Sequence, residues 1–195
     1  MPMTPTPLPP ERIAEIAAGR YSLVPITTRE ALRFCERNHR HLPDLQGALF
    51  AAGVERAGQL VGVATAGHPA RVWMGTGRIL ISRCAAVPGL PGIIDSAGDE
   101  HAAPVSTMLY AALCRASKAL GWHEAWTYTL PGEDGRSIRA AGFTYMGTTA
   151  GGDWDRDGRP RETVDPASKG RWARGLTPYG CARLVSQSED ERLAA

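Results

Sequence analysis

His39-Arg40-His41 puts two imidazoles two residues apart at the end of an amphipathic segment. Imidazole titrates near neutral pH, so either ring can accept a proton from an incoming nucleophile. The pair also suits a metal, but a third ligand is needed, and spacing brings none of His68, His101 or His123 beside it, so no metal is expected. A plainer reading makes His39 a packed histidine on the apolar side of a helix and His41 a turn residue. Ser82 and Arg83 are adjacent on a β-prone run and face opposite sides of a strand, so at most one of them reaches a given cleft. Later in the chain Arg156, Arg159, Arg161, Lys169, Arg171 and Arg174 interleave with Trp154 and Trp172, a pattern able to track a phosphate backbone and stack a base. Asp153, Asp155, Asp157, Glu162 and Asp165 nearly cancel that charge, and a solvated loop is the plainer reading.

The elements that must hold these groups follow from pattern. Tyr21 to Ile26 alternates as a strand, and Thr27-x-x-Glu30 is a capping box opening a helix that ends around residues 37–40, before Pro43. Ala31, Phe34, Cys35 and Asn38 repeat at helical spacing, with His39 one turn past Cys35. Residues 47–54 and 59–66 are apolar runs read as antiparallel strands across a four-residue connection, Glu55-Arg56-Ala57-Gly58. Residues 78–87 form a third strand, and residues 88–105 a long surface loop. Met108, Leu109, Ala112, Leu113, Ala116, Ala119 and Leu120 make the stripe of a helix over 106–120, with Ser106 able to cap its start and Gly121 to end it. A strand over 122–129 gives way at Pro131-Gly132. A short helix over 137–141 then stops at Gly142, where a left-handed residue is needed, and Phe143 resumes a strand. Leu176, Tyr179, Cys181, Leu184 and Val185 suggest a final strand within 175–185.

The 195 residues suffice for one domain with a sizeable core, and a hydrophobic share of 43% excludes wholesale disorder. The expected organisation is a flexible Pro-rich leader over 1–20, a single domain over 21–185 and a fraying tail over 186–195. There is no apolar run of membrane-spanning length and no secretory-type leader, so an intracellular, cytoplasmic protein is expected. Cys35, Cys84, Cys114 and Cys181 are scattered without a C-x-x-C pair, which disfavours a zinc knuckle or a disulfide framework. A net charge of +2 says little about partners.

The order of elements, with Ser137-Ile-Arg-Ala-Ala-Gly-Phe143, resembles the GNAT superfamily of N-acyltransferases over residues 21–150. Its closer likeness is to a phage and prophage GNAT-like family, carried by Asn38-His-Arg-His41, Gly62-Val63, Gly67-x-Pro69, Arg83-Cys84, Ser106-x-x-Leu109-Tyr110, Ala116-x-Lys118-Ala-Leu-Gly121, Thr127-Tyr-Thr-Leu130, Arg159-Pro-Arg161, Lys169 and Trp172. More distantly the chain resembles the phage Mom DNA-modification protein, a GNAT-like enzyme that alters adenine and has been linked to iron. The resemblance implies an α/β GNAT fold, a mixed central sheet with splayed strands flanked by helices. The splayed strands would be residues 78–87 and 122–129, with the pantetheine of acetyl-CoA or another acyl-CoA in the gap and the pyrophosphate on helix-terminal amides around Ala103, Val105, Ser106 and Thr107. It further implies donor contacts from Arg83, Cys84, Thr127, Ser137 and Arg139, and a tyrosine, here Tyr110, that protonates the departing thiolate. His39, His41 and Ser82 complete the implied catalytic set. Residues 98–105 depart from the superfamily's phosphate-loop spacing.

The expected activity is direct acyl transfer to an amine, with a nucleobase or modified nucleobase of phage DNA as the favoured acceptor and Arg156, Arg159, Arg161, Lys169 and Arg171 as its contacts. Two alternatives stay open: a non-catalytic nucleic-acid-binding or regulatory protein on the same fold, and a small-molecule or peptide N-acetyltransferase. No membrane partner is expected, and the sequence leaves the oligomeric state open.

Overall fold

The computed structural model describes residues 11, 19–38, 47–70, 73–94, 100–101, 103–149 and 168–193. His39, His41, Arg156, Arg159, Arg161 and most of the Pro-rich leader lie outside them. The chain forms two compact units, each assembled from separated segments: residues 1–67 with 81–113, and residues 68–80 with 114–195.

The first unit holds β1 (Tyr21–Val24), α1 (Thr28–Asn38), β2 (Phe50–Arg56), β3 (Gln59–Gly67), the Ile81–Ala86 part of β4 (Arg78–Ala86), and α2 (Val105–Ala119) as far as Leu113. The strands are ordered β1-β2-β3-β4. The capping box is present: Thr27 Oγ1 accepts from Glu30 N at 3.2 Å and Glu30 Oε2 accepts from Thr27 N at 2.7 Å, and the Thr27 hydroxyl, first, and this backbone bond, second, lower the Glu30 pKa. The helix it starts buries Ala31, Phe34 and Cys35 against Val63 and Ala85. The β2–β3 connection is tighter than expected. Arg56 already pairs with Gln59, leaving Ala57-Gly58 as a two-residue turn with φ of 52° and 72°. Two left-handed residues give the twist that antiparallel neighbours require.

The segment 88–105 is not wholly loop. It contains the two-residue ladder β5 (Ile93–Ile94) and β6 (Glu100–His101), and Pro91 is tied down where its carbonyl accepts from Tyr21 Oη at 2.6 Å and from Arg56 at 3.2 Å. α2 begins at Val105, and the Pro104 carbonyl takes the first helical bond, from Met108 N at 2.9 Å. Ser106 therefore lies inside the first turn and is not its cap, a correction of one residue.

The second unit contains the Arg78–Leu80 start of β4, the rest of α2, β7 (Glu124–Thr129), α3 (Arg136–Ala140), β8 (Thr144–Thr148), β9 (Gly170–Gly175) and α4 (Pro178–Leu193). Strand order is β4-β7-β9-β8, with β4 parallel to β7 over Arg78↔Glu124 to Leu80↔Trp126 and β9 antiparallel to both its neighbours. α3 ends in a Schellman arrangement: Gly142, with φ 81°, donates to the Arg139 carbonyl at 2.8 Å and Phe143 to that of Ile138 at 3.2 Å. The accompanying apolar pair, Ile138 and Phe143, is buried.

Two expectations are overturned here. The basic run around Arg171 is no solvated loop but strand β9, with Trp172 and Ala173 buried. Residues 178–193 are helix where a strand over 175–185 and a fraying end were expected. The physical reason is local: Pro178 suits the first helical position, and Thr177 precedes it as the cap, its Oγ1 accepting from Gly180 N at 3.2 Å. α4 packs so closely on the strand entry that a Cβ at Gly180 would overlap the His123 carbonyl oxygen.

Candidate functional site

Most of the expected donor-side residues fall in the first unit. Ser82, Arg83 and Cys84 are consecutive on β4 and partly exposed, and Val105, Ser106 and Thr107 form the first turn of α2. These two groups meet: the Ser106 hydroxyl hydrogen-bonds the Cys84 thiol. β3 meets the same turn, since a Cβ at Gly62 would overlap Val105 Cγ1 and lie 3.3 Å from the Ala85 carbonyl oxygen. Glycine at 62 thus lets α2 settle against the strands at its N-terminal end, where the helix dipole favours an anion. Ala103 lies two residues before that helix, partly exposed. Tyr110, one turn after Ser106, is 8% exposed.

The hydroxyl of Ser82 pairs with that of Thr65 at 3.0 Å, and Thr65 is fully buried. Arg83 folds back to donate to the Ser82 carbonyl at 2.8 Å. Sequence reading missed Thr65, whose alternation with apolar neighbours on β3 looks like ordinary strand filling. Burial raises the Cys84 thiol to about 12 and the Cys35 thiol to about 11, so both remain protonated at neutral pH. Cys84 as a residue is half-buried and Cys35 is buried.

In the second unit Thr127 is buried on β7 opposite Trp172 of β9. Ser137 is partly exposed in the first turn of α3, and exposed Arg139 donates to the Asp134 carbonyl while its guanidinium lies 5.2 Å over the Trp172 ring. Arg171 donates to the Met146 carbonyl at 2.7 Å, and the Lys169 backbone N–H to Thr149 Oγ1 at 2.8 Å. The expected base-stacking role of Trp172 is excluded by its burial, 4% exposed within the sheet. The segment's other aromatic, Trp154, lies outside the described residues.

A buried charge cluster, absent from the sequence reading, lies in the same unit. Glu124 is fully enclosed, accepting from Arg78 Nε at 2.9 Å, from Trp126 Nε1 at 2.8 Å and from Arg183 Nε. Arg78 lies 4.7 Å and 5.0 Å from the rings of Trp73 and Trp126, and Arg183 also donates to the Thr76 carbonyl at 2.8 Å. Burial opposes ionisation of Glu124, but the hydrogen bonds from Arg183 and Trp126 and the two cations outweigh it, and its pKa is lowered. Among the described residues no group of three His, Cys, Asp or Glu side chains gathers as a metal site, and no helix is long and apolar enough to cross a membrane.

No protein-family model matches the chain and no curated protein matches it. Solved structures do. The ribosomal-protein-S18-alanine N-acetyltransferase of Escherichia coli is 13% identical with a TM-score of 0.52, covering 81% of this chain and 95% of that one. An acetyltransferase of Bacillus subtilis in complex with CoA is 14% identical with a TM-score of 0.52, covering 82% and 99%. A Drosophila melanogaster polyamine N-acetyltransferase, which catalyses formation of N-acetylagmatine, is 11% identical with a TM-score of 0.53, covering 80% and 100%. At such identities the likeness is one of fold, and the fold is the mixed α/β arrangement of the GNAT N-acetyltransferases.

Proposed function

We propose that this chain is an acyl-CoA-dependent N-acyltransferase that passes the acyl group directly from the thioester to an amine. The observation that carries the reading is the meeting of β4 with the first turn of α2 through Cys84 and Ser106, on a fold shared with a CoA-bound acetyltransferase. In this reading the pyrophosphate is held by the amides of Val105, Ser106 and Thr107, where the helix start supplies donors and partial positive charge. The pantetheine arm runs along the β4 backbone at Ser82, Arg83 and Cys84 of the first unit, and on the family likeness alone Thr127, Ser137 and Arg139 are proposed as further donor contacts. The amine nitrogen attacks the thioester carbonyl carbon and the carbon–sulfur bond breaks. Tyr110 gives its proton to the departing thiolate, and His39 or His41 takes the proton lost by the amine. The protonated thiols of Cys84 and Cys35 favour direct transfer over an acyl-cysteine intermediate.

The acceptor is an amine, a reading supported by a fold shared with proteins named as ribosomal-protein-alanine and polyamine N-acetyltransferases. A nucleobase of DNA is the narrower proposal. It rests on the phage-family likeness and on Arg156, Arg159, Arg161, Lys169 and Arg171 as phosphate contacts, and a CoA-dependent reaction of this kind belongs in the cytoplasm. Calorimetric titration with acetyl-CoA and CoA tests the donor site, with micromolar binding expected and absence of binding by either refuting the enzyme reading. Thiol release with DNA, polyamine or peptide acceptors then sorts the acceptor. Activity on DNA that falls steeply with salt supports the nucleobase, and indifference to DNA refutes it.

A further inference from the structure

We propose that Trp172 is a positioning residue that fixes residues 129–139, the connection from β7 through α3, in the form that presents Ser137 and Arg139. The inference rests on the donor reading above, which assigns those two side chains to acyl-CoA. One indole touches the connection at its start, middle and end. At the start, Trp172 Nε1 donates to Thr129 Oγ1 at 3.0 Å in a buried bond. In the middle, the ring packs beneath Gly135, where a Cβ would come 2.5 Å from Cζ2 and 2.8 Å from Cη2; with φ of 62°, that position disfavours a side chain on backbone grounds as well. At the end, Arg139 stacks over the ring at 5.2 Å while also donating to the Asp134 carbonyl. Tyr145 closes in edge-on at 5.1 Å and 65°, its hydroxyl held by Thr148 Oγ1 at 2.6 Å.

These contacts have a common physical effect. A connection containing Pro131-Gly132 and Gly135 is entropically costly to order, and a ligand that had to order it would bind more weakly. An indole already seated against three of its points removes that cost before the ligand arrives. Stacking also holds the Arg139 fork in one orientation, sparing part of the rotamer entropy that anion binding would otherwise consume. Trp172 itself is 4% exposed, so it acts through the residues it holds and not on the substrate.

The test uses the full chain with Thr129→Val, which deletes one hydrogen bond, and Trp172→Leu, which removes the flat ring. Hydrogen exchange of amides 130–139 reads the clamp without reference to acyl-CoA, and steady-state kinetics read its role. Exchange there is expected to rise about tenfold in Thr129→Val, local opening being a matter of a single bond's worth of stability. The KM for acyl-CoA should rise about tenfold in the same variant with kcat within about twofold, the pattern of lost preorganisation in binding. Unchanged exchange in Thr129→Val overturns the clamp. Faster exchange with unchanged KM overturns the positioning role, as does a fall confined to kcat. Trp172→Leu, if folded, should exceed Thr129→Val in both readouts, and a smaller effect also overturns the proposal. Wild-type protein that binds no acyl-CoA removes the donor reading and the positioning role with it. The exchange data then stand as a test of the clamp alone.

Discussion

Replacing Glu124 with glutamine removes one charge and no volume, which makes it the sharpest probe of the second unit. The carboxylate has no solvent exposure and serves three donors, with Arg78 and Arg183 side chains 12% and 23% exposed. Glutamine offers one oxygen, and its amide N–H₂ would face a guanidinium N–H, so at least one charged donor loses its acceptor. Breaking a buried ion pair by deleting one partner costs about 3–5 kcal/mol, and the partial exposure of Arg183 puts the expectation at the lower end, about 3 kcal/mol. At this chain length that corresponds to a midpoint lowered by about 6–12 °C. Tryptophan emission is the natural assay. Trp73, Trp122, Trp126 and Trp172 belong to the second unit, and the segments of the first contain no tryptophan. The pH dependence supplies a second check. The folded pKa of Glu124 is lowered, so its contribution is fully present above the unfolded carboxylate range and is lost as pH falls through the folded value. The gap between wild type and Glu124→Gln should therefore be widest at neutral pH and close in acid. A variant within about 0.5 kcal/mol of wild type at pH 7, or a deficit that does not change with pH, would refute the assignment of a stabilising ionised Glu124.

Gly62→Ala should force the first turn of α2 away from β3, because the new methyl overlaps Val105 Cγ1 with the Ala85 carbonyl behind it. A loss of about 1–3 kcal/mol by chemical denaturation is expected, with weaker acyl-CoA binding by titration. Ala57→Gly relieves a left-handed alanine and should raise stability by about 0.5–1 kcal/mol in the same experiment. The Ser117 hydroxyl is buried without a hydrogen-bond partner, so Ser117→Ala should stabilise by about 1 kcal/mol, and a destabilised variant would mean the hydroxyl is satisfied.

Features written in neighbouring residues were legible. The capping box of α1 needs only Thr27 and Glu30, and the α3 stop needs only Gly142 with its flanking Ile138 and Phe143, so each was readable from a few positions. The C-terminal helix is also written locally, in Thr177-Pro178, but the apolar residues Leu176, Tyr179, Cys181, Leu184 and Val185 around this start suit a strand as well as a helix. The Trp172 strand was hidden for a different reason. Its burial is supplied by β7 and β8, and a tryptophan between arginines looks the same in a loop as in a sheet interior. Glu124 was beyond reach of pattern because its partners Arg78 and Arg183 lie 46 and 59 residues away. Within the candidate site, the closeness of Cys84 to Ser106 bears on the expected grouping of donor residues, while Ser82 bonds a residue, Thr65, that nothing in the pattern marked.

The interleaving of the two units has a consequence for how the chain is made. Thr76 and Arg183, which hydrogen-bond in the finished second unit, are separated by 107 residues. At translation rates of about 5–20 residues per second, Thr76 leaves the ribosome roughly 5–20 s before its partner exists. For the first part of that interval, until the chain has grown the 46 residues from Arg78 to Glu124, the Arg78–Leu80 edge has neither β7 nor the Glu124 carboxylate to meet, and the Trp73 and Arg78 side chains wait without Trp126. Every residue of the first unit, by contrast, is made by the time Leu113 is added, while most of the second is still to be synthesised. Nascent chains arrested before Arg183 should leave the 68–80 segment more sensitive to protease than in the finished protein, because Thr76 and Glu124 then lack the guanidinium that joins them.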